Sequence, residues 1–296
     1  MQQSHENLDI IEQAYSILEK GYAFQECTFT VQMSHFPNFT EENYTKIDKA
    51  LKAIRQDFAK ILVIMNSIER TYLSYQKDEY KPSYFSVKSD QATNELGCFI
   101  EYLFAKYRVI LEYVQQILEI VVPPYLNEED EKSYLDLKKW HKKYKLLLKH
   151  VADNTDDKNQ ILNIDWFQQI RKDRDFILHD GATCLVFRAK DELTFDIMIV
   201  NALDDEDDKI FDDFFNTENG LIRYNHFWAL HISKLIVFTE TVFEFIISKT
   251  QRSEEEDIVM NNILSQGRNE LIGSDNEKIN DVQDVLMNML NSFIGK

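Results

Sequence analysis

Between Trp166 and Ala182 the chain reads Trp-Phe-Gln-Gln-Ile-Arg-Lys-Asp-Arg-Asp-Phe-Ile-Leu-His-Asp-Gly-Ala. Three cations, Arg171, Lys172 and Arg174, fall within four residues, and His179 follows Arg174 by five. A guanidinium beside a titratable imidazole is the pair that phosphodiester cleavage requires. One group stabilises the phosphate charge, and the other moves a proton. Ile170, Arg174 and Leu178 are spaced by four, which places Arg174 on an apolar helical stripe where its charge needs a partner or an interface. His179 falls in the last turn, where the helix dipole favours its protonated form. Gly181 is a suitable residue for the turn that ends the helix. Five residues on an unbroken helix turn by about 140° and rise by about 7.5 Å. That spacing predicts that Arg174 and His179 do not face one phosphate. Either the helix unwinds near Gly181 or a second copy of the chain supplies the missing partner, so a homodimer is expected.

The elements that must hold this segment are mostly helices. From Glu41 to Asp78, Tyr44, Ile47, Leu51, Ile54, Phe58, Ile61, Met65, Ile68 and Tyr72 alternate steps of three and four, a heptad stripe. Asp90 is an N-cap candidate for the next helix. There Leu96, Ile100, Leu103, Tyr107, Ile110, Val114, Ile117 and Val121 repeat the pattern until Pro123 and Pro124 stop it. With a polar turn containing Pro82 between them, the two stripes predict an antiparallel helical hairpin. A third helix is expected over 131–151, with Tyr134, Leu137, Trp140, Tyr144 and Leu147 on its apolar face, and a fourth over 164–179. Thr183 to Phe187 and Leu193 to Val200 read as a β-hairpin. Leu221 to Lys249 is apolar nearly all round and predicts a central buried helix. One N-terminal helix is expected over 7–20. The last helix carries Val282, Val285, Leu286, Leu290 and Phe293 on one face and is expected to dock on the bundle.

Composition removes several classes. The 296 residues include 7 Gly and 4 Pro, about a third of the usual share, too few for a sandwich, barrel or propeller. The net charge of −18 excludes a protein that coats nucleic acid by charge alone. Cys27, Cys98 and Cys184 are dispersed, which points to a reducing compartment and to neither a disulfide framework nor a Cys-rich metal site. Met1 to Asp9 is polar and the apolar runs are short for a membrane span, so a cytoplasmic, membrane-free protein is expected. The chain has no Walker motif, GxGxxG, HExxH or GxSxG, and no His has a Glu three residues before it. No metal and no cofactor are therefore expected. His231, in an apolar run, reads as a core histidine.

Arg174-Asp175 followed by His179 resembles the Arg-x4-6-His motif of the HEPN superfamily, and Ile177-Leu178-His179-Asp180-Gly181-Ala182 is similar to the IxHxG ending of many such domains. The resemblance spans roughly 41–250. It implies an all-α fold: a long antiparallel bundle of HEPN type, a small β-hairpin insertion at about 183–200 and a C-terminal helical extension. The divisions it implies are an N-terminal helical extension over 1–40, the HEPN-like domain over 41–252 and a tail over 253–296. It implies a metal-independent endoribonuclease of toxin or antiphage-defence type, acting as a homodimer, with RNA as substrate and with an antitoxin or defence-system protein as a possible partner. Carried over, His179 is the general acid/base, Arg174 the phosphate and transition-state stabiliser, and Asp175 the residue that orients the pair. Some members carry a Tyr two residues after the motif His, which a nucleotidyltransferase modifies; Gly181 stands there, so that control is not expected.

Further candidates lie elsewhere. Arg171 and Lys172, with Lys138, Lys142 and Lys145 from the basic face of the third helix, are candidate RNA contacts. Arg108, on the second long helix, is expected to be solvated or ion-paired. Asp204 to Asp208 is an acidic run, expected as a solvated loop. The rival to the nuclease is a non-catalytic scaffold that binds a partner protein through the bundle and the C-terminal helix.

Overall fold

A computed structural model describes residues 2–20, 36, 39–75, 91–155, 160–188, 192–198, 217, 220–251, 253–256, 258–259, 262 and 277–295. Pro82, Asp90 and the acidic run at 204–208 lie outside these residues. The fold is mostly helical, with one small antiparallel sheet.

The long amphipathic stripes form as the heptad spacing predicts. Helix α1 spans Gln2–Lys20, beginning earlier than the expected Asn7; α2 spans Glu41–Tyr75 and α3 spans Gln91–Val121. Ile47, Leu51, Ile54, Phe58, Ile61, Met65 and Ile68 of α2 are buried, as are Leu96, Ile100, Leu103, Tyr107, Ile110, Val114, Ile117 and Val121 of α3. The two helices pack on one another. The buried Asp57 carboxylate of α2 accepts from Lys60 at 2.8 Å and from Lys106 of α3 at 3.0 Å. Burial without such pairing would be costly for a charged group. Ahead of α2, the Tyr44 hydroxyl accepts from the Phe36 amide at 2.7 Å and donates to the Phe36 carbonyl at 3.0 Å. Pro123–Tyr125 forms a 3-10 turn that ends the α3 run.

The expected third helix is two helices. Helix α4 spans Glu128–Asp136, opened by Asn127, whose side chain accepts from the Asp130 amide at 2.8 Å; α5 spans Trp140–Ala152. Leu137 and Lys139 between them are extended. Helix α4 buries no residue, whereas Tyr144, Leu147, Leu148 and Val151 of α5 are buried. Only Tyr134 of α4 packs, partly buried, against the core, too little to keep α4 in line with its successor, so the periodicity joins two segments that packing separates.

After a 3-10 turn at Ile164–Phe167, α6 spans Gln168–His179. Strands β1, Thr183–Arg188, and β2, Leu193–Met198, pair antiparallel with Cys184 opposite Ile197 and Val186 opposite Phe195. A two-residue strand β3, Ile222–Arg223, extends the pairing from β2. The expected hairpin is thus part of a three-stranded sheet; two residues are too few to show a period of two. Nor is the sheet peripheral. Strand β1 crosses α3 at Gly97, where a Cβ would stand 2.8 Å from the Cys184 carbonyl oxygen. The Cys184 amide donates to Glu101 Oε1 of α3 at 2.9 Å.

Helix α7, Tyr224–Ser248, is buried on nearly every side, as expected from its composition. It packs against α1, α3, β2, β3 and α8, which spans Glu277–Ile294. Leu286 and Leu290 of α8 are buried, and Phe293 meets the His226 ring edge-on at 4.9 Å, so the last helix docks on the bundle. Aromatic rings tie the layers together. Phe104 of α3 meets Phe195 of β2 at 6.3 Å and Trp228 of α7 at 5.0 Å, while Tyr107 stacks on Phe167 at 6.1 Å.

Two outcomes follow from this packing. Glycine inside a helix costs about 1 kcal/mol relative to alanine, so Gly97→Ala would ordinarily stabilise. Here the added methyl meets a backbone carbonyl that cannot swing away, and a net loss of about 1–3 kcal/mol is expected in denaturant unfolding. Burial first, and the Lys234 ammonium second, hold the His231 imidazole well below its ordinary value. The folded state therefore binds fewer protons than the unfolded state. Stability from this group is present above the unfolded value of about 6.5 and is lost progressively as pH falls below it. His150 and His226, also lowered chiefly by burial, act in the same direction. His231→Gln should shrink the fall in unfolding free energy between about pH 7.5 and 5.5; an unchanged fall would assign it to other groups.

Candidate functional site

Helix α6 packs on α3. Ile170 and Asp173 are buried, Phe176 and Ile177 lie partly buried against the core, and Leu178 is 48% exposed. The inward face therefore runs through 170, 173, 176 and 177. The expected Ile170–Arg174–Leu178 stripe does not continue: Arg174 sits at the rim, with its side chain 18% exposed.

Helix α6 stays helical through His179. The amides of Asp180 and Ala182 both donate to the Phe176 carbonyl at 3.1 Å, and Gly181 adopts φ +70°, the left-handed conformation that reverses the chain. No unwinding separates Arg174 from His179. Even so, Arg174 Nη1 stands 3.4 Å from His179 Nε2, which corrects the expectation that the two diverge. Helical side chains lean toward the N-terminus, so the imidazole leans back while the long guanidinium stem spans the remaining turn. The backbone angle alone misjudged the reach of an arginine. A guanidinium can only donate, so this approach is a hydrogen bond when Nε2 carries no proton, the form in which imidazole accepts one.

The next residue fixes Arg174. Its Nη1 donates to Asp175 Oδ1 at 2.8 Å, and Arg108 Nη1 of α3 donates to the same oxygen at 2.7 Å. Arg108 is held from its other side, where Nε donates to Glu112 Oε1 at 2.8 Å. Two guanidiniums thus share one carboxylate oxygen, which stops them repelling one another and anchors α6 to α3. Arg108 is ion-paired, as its position on a long helix suggested. Its partner lies 67 residues away in the chain, and no local pattern announces that. Glu112, four residues after Arg108, is the ordinary helical partner that spacing does indicate.

The remaining candidates are distributed unevenly. Arg171, one turn before Arg174, is partly buried, and Lys172 is exposed. Lys145 pairs with Asp165 at 2.7 Å, across the gap between α5 and the turn that precedes α6. Lys138 stands in the break between α4 and α5 rather than on a helical face, and Lys142 is exposed on α5. Among the described residues, no hydrogen bond or ion pair joins Lys138, Lys142 or Lys145 to Arg174 or His179. Also among the described residues, no group of three His, Cys, Asp or Glu side chains is arranged to hold a metal ion, and no helix is long and apolar enough to cross a membrane.

Fold and site define a mostly helical protein in which an Arg–Asp–Arg bridge stands beside a histidine at the end of a helix. Set against protein-family models, curated proteins and solved structures, the chain matches none.

The bridge is testable by stability alone. The Arg108 and Asp175 side chains are 21% and 41% exposed, so solvent screens their attraction. A double-mutant cycle with Arg108→Gln and Asp175→Asn should return a coupling of about 0.5–1 kcal/mol that shrinks with added salt. A coupling of zero at low salt would show that the bridge does not hold α6 to α3.

Proposed function

We propose that this chain is a HEPN-like, metal-independent endoribonuclease of toxin or antiphage-defence type. The approach of Arg174 Nη1 to His179 Nε2, at 3.4 Å on the exposed last turn of α6, is the observation that carries the reading. The resemblance of the surrounding motif to that superfamily, and the helical context of the motif, give it further support.

In this mechanism His179, accepting at Nε2, takes the proton of a ribose 2′-hydroxyl as the 2′-oxygen attacks the adjacent phosphorus. The bond from phosphorus to the 5′-oxygen of the next nucleotide then breaks, and a proton returns to that oxygen. The products are a 2′,3′-cyclic phosphate and a 5′-hydroxyl. Arg174 donates to the non-bridging phosphate oxygens as their charge grows. Asp175 holds the guanidinium in place, and Arg108 holds Asp175. Charge developing on phosphate is met by groups already oriented, which limits the reorganisation needed during the reaction. Since Arg174 and His179 meet within one chain, the geometric reason for requiring a second copy falls away, and a homodimer follows from the resemblance alone. The scaffold reading draws less support, because its C-terminal helix spends Leu286 and Leu290 on the bundle.

End-labelled RNA should be cut by the wild type in EDTA, leaving cyclic-phosphate ends. Arg174→Ala and His179→Ala should each lower the rate by about 100-fold or more while remaining folded at the assay temperature. Equal cleavage by all three proteins, or none by a folded wild type over a wide range of RNA, would reject the reading.

A further inference from the structure

Arg171 differs from every other cation around the site. Its Nε is shielded from solvent, and among the described residues neither an ion pair nor a hydrogen bond holds its guanidinium. On a helix the natural partner of Arg171 is the residue four positions on, which is Asp175. That carboxylate already accepts from Arg108 and Arg174 through Oδ1. The residue three positions on is Arg174 itself, a like charge on the same face. Arg174, although its Nη1 is paired with Asp175, also has a shielded Nε that donates to nothing among the described residues. A partly buried guanidinium left uncompensated is costly. Arg171 without a partner among the described residues, one turn from an Arg174 that shares its carboxylate oxygen with Arg108, therefore marks a place where an external anion would lower the free energy. The carboxylates nearby in sequence are Asp173, which is buried, and Asp180, which is exposed beyond the end of the helix.

We propose that Arg171 is a second phosphate-binding residue, holding the phosphodiester that flanks the one presented to Arg174 and His179. Residues three apart on a helix carry their side chains about 5–6 Å apart on one face, so the two guanidiniums can follow successive phosphates of one strand. The ligand is then an RNA strand with at least two linkages, and a mononucleotide or inorganic phosphate cannot engage both. This rests on the nuclease reading for the choice of RNA. The test separates the two, because it reads binding without cleavage.

The probe is a short single-stranded RNA methylated at every 2′-oxygen, which removes the attacking group. Its affinity for the full chain is measured across a salt series for the wild type, Arg171→Gln and Lys46→Gln. Lys46→Gln makes the same change of net charge on α2, where Lys46 pairs with Glu42. Arg171→Gln should weaken binding roughly tenfold and reduce the slope of log affinity against log salt by about 0.7, one phosphate contact on a single strand. Lys46→Gln should leave both near wild type. Arg171→Lys keeps the charge without the planar fork; it should retain the slope while losing part of the affinity, and it serves if Arg171→Gln unfolds. Wild-type and Arg171→Gln proteins with the same affinity and slope would overturn the proposal, as would no binding of the probe by the wild type. Binding with the expected Arg171 effect but no cleavage of unmodified RNA would keep this subsite and reject the nuclease.

Discussion

A helix that is apolar on nearly all sides must be covered over most of its surface, and α7 is such a helix. Phe227, Trp228, Leu230, Ile232, Leu235, Ile236, Phe238, Val242, Phe243, Phe245 and Ile246 are all buried, and between them they cover about two-thirds of the circle around the helix axis. Enclosing them requires more surface than one neighbour can offer. Helices α1, α3 and α8 and strands β2 and β3 share the task. Their packing places the N-terminal and C-terminal helices in the same hydrophobic cluster as the middle of the chain. Two hydroxyls on α7 are satisfied within that constraint. Thr239 and Thr241 donate to carbonyls one turn back, at 2.7 and 2.8 Å, and the Tyr107 hydroxyl of α3 donates to the His231 carbonyl at 2.8 Å. Buried hydroxyls that return to their own helix need no water and no further partner.

The same enclosure sets where α6 can lie. Trp166 and Phe167, in the turn before it, pack on Tyr107, and Trp166 also meets Phe238 of α7 at 6.2 Å. The Trp166 indole donates to the Ile161 carbonyl at 2.9 Å, fixing the entry of the chain. At the other end, Gly181 turns the chain into β1, whose close approach to α3 is possible because Gly97 has no side chain. Helix α6 is thus anchored at both ends by backbone and aromatic contacts, while its rim, from Arg171 to His179, is left for charge. The Arg108–Asp175–Arg174 bridge is the polar fastening between these two anchors.

The elements legible in the sequence are those whose own side chains dictate their structure. Helices α2 and α3 follow from stripes that persist for many turns, and α7 from an apolar run with only a narrow polar edge. The end of α6 follows from Gly181, where a positive φ favours glycine. The features that could not be read are decided by neighbours distant in the chain. Residues 137–139 continue a helical period that α5 shares, but α4 has no buried side chain to keep the period in one rod. Strand β3 exists because β2 offers an edge. Arg174 and His179 were placed apart by backbone rotation, a quantity sequence gives well, and brought together by side-chain reach, which it gives poorly. Arg108 joins the site only because packing sets α3 beside α6.

The distribution of charge at the rim then has a physical sense. Asp175 neutralises part of two guanidiniums that would otherwise repel one another across the α3–α6 contact, and Glu112 neutralises more of Arg108. One carboxylate oxygen satisfying two arginines leaves both partly charged toward solvent. A site compensated in full would hold its arginines firmly and attract no anion; one without Asp175 would attract anions but hold nothing in place. The bridge lies between these limits. It fastens α6 to α3 through Arg108 and orders Arg174 against His179.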